Sequence, residues 1–147
     1  MPDLVADTAL AMSKENLEIL RRGFDAFNRG DREAMVADFA PDFEYVPTGA
    51  IPGETGVYRG PEGWIEFVGW MRSEFEGARV EIRELIDAED QVLAALTLHG
   101  RGRQSGVDTS WDIWQLWTVQ HGEVVHGQAF VSQAEALEAA GLSSGRA

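Results

Sequence analysis

Apolar residues recur at two different spacings along the chain, and the change between them divides the sequence in two. Up to about residue 75 they repeat every three or four residues, which is the period of an amphipathic helix. From about residue 79 apolar and polar residues alternate, as in a strand with one buried face. The predicted order is therefore helix, helix, strand, helix and four strands, followed by a short alanine-rich helix.

The first helix is predicted to begin after an N-cap at Ser13 and to end before Gly30. Its apolar stripe consists of Leu17, Leu20, Phe24 and Phe27. Residues 1–12 have no usable period, so we expect a disordered arm there. A second short helix is predicted to begin after Asp31 and to end at Pro41. The apolar residues of this second helix are Met35, Val36 and Phe39.

A short strand, Phe43 to Val46, is predicted next, and the loop after it spans residues 47–60. That loop contains two prolines and four glycines, and loops of such length in compact domains are often functional. The third helix is predicted to begin at Gly60-Pro61, because proline is favoured in a first helical turn. The apolar face of this helix consists of Trp64, Phe67, Val68, Met71 and Phe75.

The alternating half predicts an antiparallel meander with strands at about residues 79–88, 91–103, 109–120 and 123–131. The last two strands are joined through a Gly-centred turn at Gly122, which indicates a hairpin. The final helix ends at Gly141, and residues 143–147 form a tail. The third strand of this meander carries Trp111, Trp114 and Trp117. Its faces must therefore cover a core, a ligand cavity or a subunit interface.

Four segments, at their spacing, resemble the SnoaL-like family of the nuclear transport factor 2-like superfamily. They are residues 27–31 (FNRGD), 58–63 (YRGPEG), 116–119 (LWTV) and 135–142 (EALEAAGL). The resemblance implies one domain over residues 13–142 with an α+β fold. In this fold a cone-shaped, curved antiparallel sheet wraps around the three N-terminal helices, leaves a deep pocket, and is followed by a short C-terminal helix. It also implies a homodimer packed through the sheet.

The family includes polyketide cyclases, epoxide hydrolases, ketosteroid isomerases, dehydratases and binding proteins, so the fold leaves the function open. Counting along the strands locates the positions that its enzymes use for proton transfer. The Asp or His of the next-to-last strand falls at Gln115, the Asp of the last strand at Ala129, and the isomerase base at Val46-Pro47. A glutamine cannot exchange a proton near neutral pH. We therefore expect neither epoxide hydrolase nor ketosteroid isomerase activity.

Six residues would converge if the third helix lies across the concave face of the sheet: Tyr45, Trp64, Phe67, Met71, Gln115 and Trp117. They would either form a pocket for a small apolar or aromatic molecule or fill the core. Gly127 and Ala129 are expected to leave room on the facing strand. Asp112 is a candidate catalytic residue if the strand is shifted by one position; otherwise it faces outward as a solvated or interface carboxylate.

The charge and composition of the chain indicate which classes of partner it is suited to bind. The net charge of −13 disfavours nucleic acid and anionic membrane. The chain contains no cysteine and no apolar run long enough to span a membrane, and its first residues do not fit a signal peptide. We expect a cytoplasmic homodimer that uses no cofactor and no metal, with Trp114 in the dimer interface. His99, Arg101, Arg103 and His126 are expected on the outer polar face.

The leading hypothesis is a protein that binds a small hydrophobic or aromatic molecule. If the protein is an enzyme, the reaction is cyclisation, isomerisation or dehydration of a carbonyl compound by proton transfer. The alternative is a non-catalytic, dimeric assembly or regulatory module with a vestigial pocket. Because ligand pockets have volumes of roughly 300 Å³ or more, cavity volume discriminates between the two.

Overall fold

A computed structural model describes the backbone of residues 4–48 and 56–142, and the side chains of residues 14–48 and 56–142. The described helices are α1 (Leu4–Arg29), α2 (Arg32–Met35), α3 (Gly60–Glu74) and α4 (Gln133–Ala139). The strands are β1 (Phe39–Val46), β2 (Tyr58–Arg59), β3 (Phe75–Ala88), β4 (Gln91–Gly102), β5 (Asp108–Gln120) and β6 (Glu123–Phe130).

The six strands form one curved, unclosed sheet in the order β2-β1-β6-β5-β4-β3, which confirms the predicted α+β class. Strands β3 to β6 form the expected antiparallel meander. The pairing of β1 with β6 is parallel, so the sheet is mixed instead of antiparallel throughout. Parallel neighbours need a long connection, and α3 with the whole meander supplies it here.

Helices α1 and α3 pack against the concave face of the sheet, and their apolar faces form the main core with the inward residues of β1 and β3 to β6. Helix α4 packs on the opposite face. There Ala136 of α4 is fully buried with Leu93 and Leu116 in a second, smaller core. The helices therefore cover most of the concave face and part of the opposite face of the sheet.

Local sequence signals account for several element ends. Gly30 has φ +74° after α1, and the Gly30 and Asp31 amides donate to the last turn of that helix, at Phe27 and Ala26. These two hydrogen bonds form the Schellman motif. The motif favours glycine at this position because glycine tolerates positive φ. The β5–β6 turn has positive φ at both His121 and Gly122, as in a two-residue hairpin turn.

Helix α1 begins at Leu4, nine residues before the predicted N-cap, so Ser13 lies inside the helix. The backbone of residues 4–12 thus differs from the disordered arm expected there. This segment, LVADTALAM, is rich in alanine and leucine, which have high helix propensity. The helix can extend through it without an apolar stripe. Residues 1–3 and the predicted tail at 143–147 lie outside the described residues.

The first strand is longer than predicted, because Phe39 and Pro41 belong to β1 and not to a second helix. The pairing of β1 with β6 is irregular between Phe39 and Glu44. Proline lacks an amide hydrogen and is tolerated in a sheet at such irregularities. Two smaller differences are that Tyr58–Arg59 pairs as a short strand, and that Phe75 starts β3 instead of ending the helix.

Candidate functional site

An internal cavity of about 60 Å³ lies between the helices and the concave face of the sheet. Its walls come from α1, α2, β1, α3 and the four strands of the meander. Aromatic rings form a large part of the described wall: Phe24, Phe27, Phe39, Tyr45, Trp64, Phe67 and Trp117. Aliphatic side chains form most of the remainder. The cavity is therefore a small, largely apolar space bounded by aromatic rings and aliphatic side chains.

The structure brings all six residues of the predicted pocket to this cavity. All six side chains are buried: Tyr45, Trp64, Phe67, Met71, Gln115 and Trp117. Trp64 of α3 and Trp117 of β5 are in edge-to-face contact in its wall, with ring centroids 5.5 Å apart and planes at 80°. The ring of Tyr45 lies 4.9 Å from that of Trp64. Whether this wall binds a ligand stays a prediction.

Three of these residues form a buried hydrogen-bonded chain. The indole Nε1 of Trp117 donates to Oε1 of Gln115 at 3.0 Å, and Nε2 of Gln115 donates to the Tyr45 hydroxyl at 3.0 Å. A buried amide costs free energy unless it is hydrogen-bonded, and here both ends of the Gln115 side chain are engaged. Within the described part of the chain, no buried side-chain nitrogen or oxygen lacks a partner. The hydrogen-bonded side chains of Tyr45, Gln115 and Trp117 form one polar strip in the largely apolar wall.

The room expected beside Gly127 is occupied. A Cβ added at Gly127 would lie 2.7 Å from Cζ3 of Trp117 and 3.0 Å from Cδ1 of Tyr45. The glycine therefore lets both rings lie flat across β6, and it does not enlarge the cavity. The expectation of a wide space here was wrong because the rotamers of the two rings direct them over this position. This packing is one reason for the small cavity volume.

Asp112 does not lie near the cavity. In β5 the inward residues are Ile113, Gln115 and Trp117, and the alternation of a strand puts Asp112 on the outer face. Its side chain is 60% exposed and accepts a hydrogen bond from Thr97 Oγ1 at 2.8 Å. The candidate catalytic assignment is therefore corrected: this carboxylate cannot reach a molecule inside the cone. The strand has the register that was counted and is not shifted by one residue.

The counted proton-transfer positions carry no titratable group in the structure. Gln115 and Ala129 are both buried on the concave face, and they are paired in the β5–β6 ladder. Val46 and Pro47 follow Tyr45 at the end of β1. Of the carboxylates near that strand, Glu44 is paired with Arg59 at 2.6 Å on the outer side, and Glu54 lies outside the described residues.

A carboxylate that the sequence did not single out does reach the cavity. Asp38, in the turn between α2 and β1, is part of the cavity wall. Its Oδ2 accepts a hydrogen bond from Nη2 of Arg22 at 3.2 Å. No spacing rule identifies this residue, because it lies in a turn and faces the cavity only after α1, α2 and β1 have packed together. Phe39, which was assigned to a helix, is the neighbouring aromatic wall.

The outer face of the sheet is polar along β3 and β4 and apolar beside α4. His99 of β4 is hydrogen-bonded to Glu81 at 2.9 Å, and His126 lies on the same face in β6. Trp114 is half-buried against the core under α4, and the guanidinium of Arg83 lies 5.2 Å from its ring centre. No group of three or more potential metal ligands occurs among the residues that the structure describes.

Comparisons with known proteins agree with this architecture. The family model of the SnoaL-like domain matches residues 20–127. The uncharacterized protein Rv0034 of Mycobacterium tuberculosis H37Rv is 29% identical over 128 residues, which cover 84% of this chain and 93% of that protein. No helix in the described ranges is long and apolar enough to cross a membrane.

Two crystal structures show the same fold. An NTF2-like protein of Burkholderia thailandensis E264 has a TM-score of 0.71 and 27% identity, covering 84% of this chain and 94% of its own. A putative SnoaL-like polyketide cyclase of Jannaschia sp. CCS1 has a TM-score of 0.69 and 20% identity, covering 86% and 91%. With the family match over most of its length, the chain belongs to the SnoaL-like domain family of the NTF2-like superfamily.

Proposed function

We propose that this protein binds a small apolar or aromatic molecule inside the cone. The supporting observation is the convergence of buried aromatic residues from four elements on one cavity, with one buried polar strip in a largely apolar wall. Sites for small molecules typically combine apolar walls with a few placed polar groups. The fold shared with the putative polyketide cyclase of Jannaschia is consistent with this role.

The volume of the cavity sets a condition on the proposal. At about 60 Å³ the space is far smaller than the roughly 300 Å³ of typical ligand pockets. A ring-sized ligand therefore requires a wall residue to move, as interface side chains commonly do on binding. Trp64 is the residue best placed to move. It comes from a helix and is 8% exposed, whereas Trp117 is 2% exposed and is tied to Gln115 by its indole N–H.

The polar strip supplies orientation. A carbonyl or hydroxyl oxygen on the ligand would be oriented here by replacing the hydrogen bond between the Gln115 amide and the Tyr45 hydroxyl. If the protein is an enzyme, we propose cofactor-independent cyclisation, isomerisation or dehydration of a carbonyl compound. In the described wall, the side chains whose chemistry would suit proton transfer are the Tyr45 hydroxyl and the Asp38 carboxylate.

Titration of the protein with a flat aromatic compound such as 2-naphthol, followed by tryptophan fluorescence and calorimetry, tests the binding proposal. Saturable binding is expected, and Trp64→Ala and Trp117→Phe should change the affinity at least severalfold. Trp70→Phe is the matched control, because Trp70 is on α3 but is not part of the cavity wall. An affinity that is unchanged in both wall variants would contradict an internal site.

The small cavity favours one alternative, a non-catalytic assembly or regulatory module whose pocket is vestigial. Failure of a broad panel of apolar compounds to bind or to raise the melting temperature would support it. In either case we propose a cytoplasmic homodimer that associates through the outer face of the sheet. The half-buried Trp114 on this face motivates this association.

A further inference from the structure

The mouth of the cavity can be identified from the exposure of its wall. Most wall residues are buried, and the partly exposed ones are Gly23, Ala34, Asp38 and Phe39. These four residues lie together where α1 faces α2 and the start of β1. A molecule that enters the cone in this region passes the carboxylate of Asp38 before it meets the aromatic rings.

The described cavity wall carries negative charge only. Asp38 is the charged residue of this wall, and no lysine, arginine or histidine is among its described residues. The protein as a whole carries a net charge of −13. Clefts with low-dielectric walls focus the field of such charges, so the cavity repels anions and attracts cations.

Ring geometry behind the mouth adds a second attraction of the same sign. Phe39, the residue after Asp38, lies 6.0 Å from Trp64 and 6.4 Å from Trp117 between ring centroids, and all three rings share the cavity wall with Asp38. The faces of such rings attract cations, tryptophan most strongly, and clusters of them recognise quaternary ammonium groups. An acidic entrance and an aromatic interior therefore select for the same ligand chemistry.

From this arrangement we infer that the ligand carries a tertiary or quaternary ammonium group, which is held between Asp38 and the rings of Phe39, Trp64 and Trp117. The inference rests on the proposed function and specifies the class of molecule that the cavity binds. As for any ring-sized ligand, a wall residue must move to admit this group into a cavity of about 60 Å³.

Arg22 is the present partner of Asp38, and it can be displaced. The two side chains are 58% and 34% exposed, and ion pairs with such exposure contribute little to stability because water screens them. Only Oδ2 of Asp38 is engaged by Arg22. A ligand cation that approaches from the cavity side therefore competes with a weak interaction.

The test compares two probes of the same shape and different charge, 3-(trimethylammonio)phenol and 3-tert-butylphenol, by calorimetry at pH 7. The cation is expected to bind at least tenfold more tightly than its neutral isostere. Its affinity should fall more steeply than that of the neutral probe when sodium chloride is raised from 50 to 500 mM, since salt screens the attraction.

Three variants test whether the tighter binding of the cation arises at the mouth of the cavity. Asp38→Asn should weaken the cation at least fivefold and leave the neutral probe within twofold. Arg22→Gln should strengthen the cation severalfold, because it removes the competing guanidinium. Glu18→Gln is the control, since Glu18 is a more exposed carboxylate of α1 that pairs with Arg21 and is not part of the cavity wall. Urea denaturation of each variant verifies that the fold is retained.

The outcomes separate this inference from the proposed function. Equal or tighter binding of the neutral probe, in the wild type, overturns the ammonium inference and leaves binding in the cone supported. The inference is also overturned if the cation binds more tightly than the neutral probe but Asp38→Asn does not change the affinity for the cation. Absence of binding by both probes contradicts the ammonium inference and counts against the proposed function as well.

Discussion

Gln115 and Ala129 are directly opposite each other in the β5–β6 ladder, and both side chains are buried on the concave face of the sheet. By the family resemblance, these are the two strand positions at which related enzymes hold their proton-transfer groups. Because the two positions are cross-strand neighbours, one patch of the concave face lacks both groups at once. The Gln115 amide is also committed to Tyr45 and Trp117, so the patch orients side chains and does not exchange protons.

From this patch we predict that the protein does not turn over a standard epoxide or a 3-keto steroid. General acid–base groups typically contribute 10²–10⁴-fold each, so the rate should be near background. Product formation is measured for the purified wild type and for Asp112→Asn. The two rates should be identical because Asp112 is on the outer face. Turnover that disappears in Asp112→Asn would show that this carboxylate is catalytic after all.

The packing of Trp117 predicts a large stability effect. Trp117→Ala should lower the free energy of unfolding by about 3–5 kcal/mol, the usual cost of truncating a buried aromatic residue. Trp70→Ala should cost less, because Trp70 is half-buried at the edge of the same core. Urea denaturation curves with equal m-values give the comparison. Equal losses in the two variants would mean that Trp117 is not tightly packed.

Glycine substitutions test the contact between β6 and the two rings. Gly127→Ala should destabilise the protein by about 1–3 kcal/mol, since the added methyl overlaps Trp117 and Tyr45. Gly69→Ala is the control. Gly69 is an exposed position inside α3 with nothing within 4 Å of the added Cβ, so alanine should stabilise the helix by about 0.5–1 kcal/mol. A neutral effect at Gly127 would indicate that the rings can shift.

The proposed dimer is tested at Trp114. Sedimentation of the wild type should show a dimer, and Trp114→Glu should shift it toward monomer, because a charge would be buried in an apolar interface. Val107→Glu is the matched control, since Val107 is an apolar residue that is 57% exposed in the β4–β5 connection. A monomeric wild type would contradict association through this face.

Elements with a regular period were predictable from the sequence, and the deviations have local causes. The boundaries of β4 and β5 and the α3 face with Trp64 and Phe67 followed from spacing alone. The segment from Phe39 to Pro41 did not, because a single apolar residue before a proline fits the end of a helix as well as the start of a strand. Its true state depends on the distant partner strand β6.

The wall of the cavity could be predicted, but its volume and its charge could not. Alternation in β5 was enough to direct Gln115 and Trp117 inward. The space beside Gly127 depends on the rotamers that the rings of Trp117 and Tyr45 adopt, and no spacing contains that information. Asp38 was missed because its position at the mouth depends on three elements packing together and not on a motif.

The parallel pairing of β1 with β6 has a consequence for the order of folding. Tyr45 and Gly127 are adjacent in the sheet although about 80 positions separate them along the chain. Contacts over such distances form late, because the entropy of closing the long loop must first be overcome, whereas the hairpins of the meander need only short loops. During synthesis the N-terminal helices and β1 must therefore wait, with their aromatic residues uncovered, until the last strand leaves the ribosome. The ring-lined interior is thus completed in a single late step, in which the first strand docks on the last.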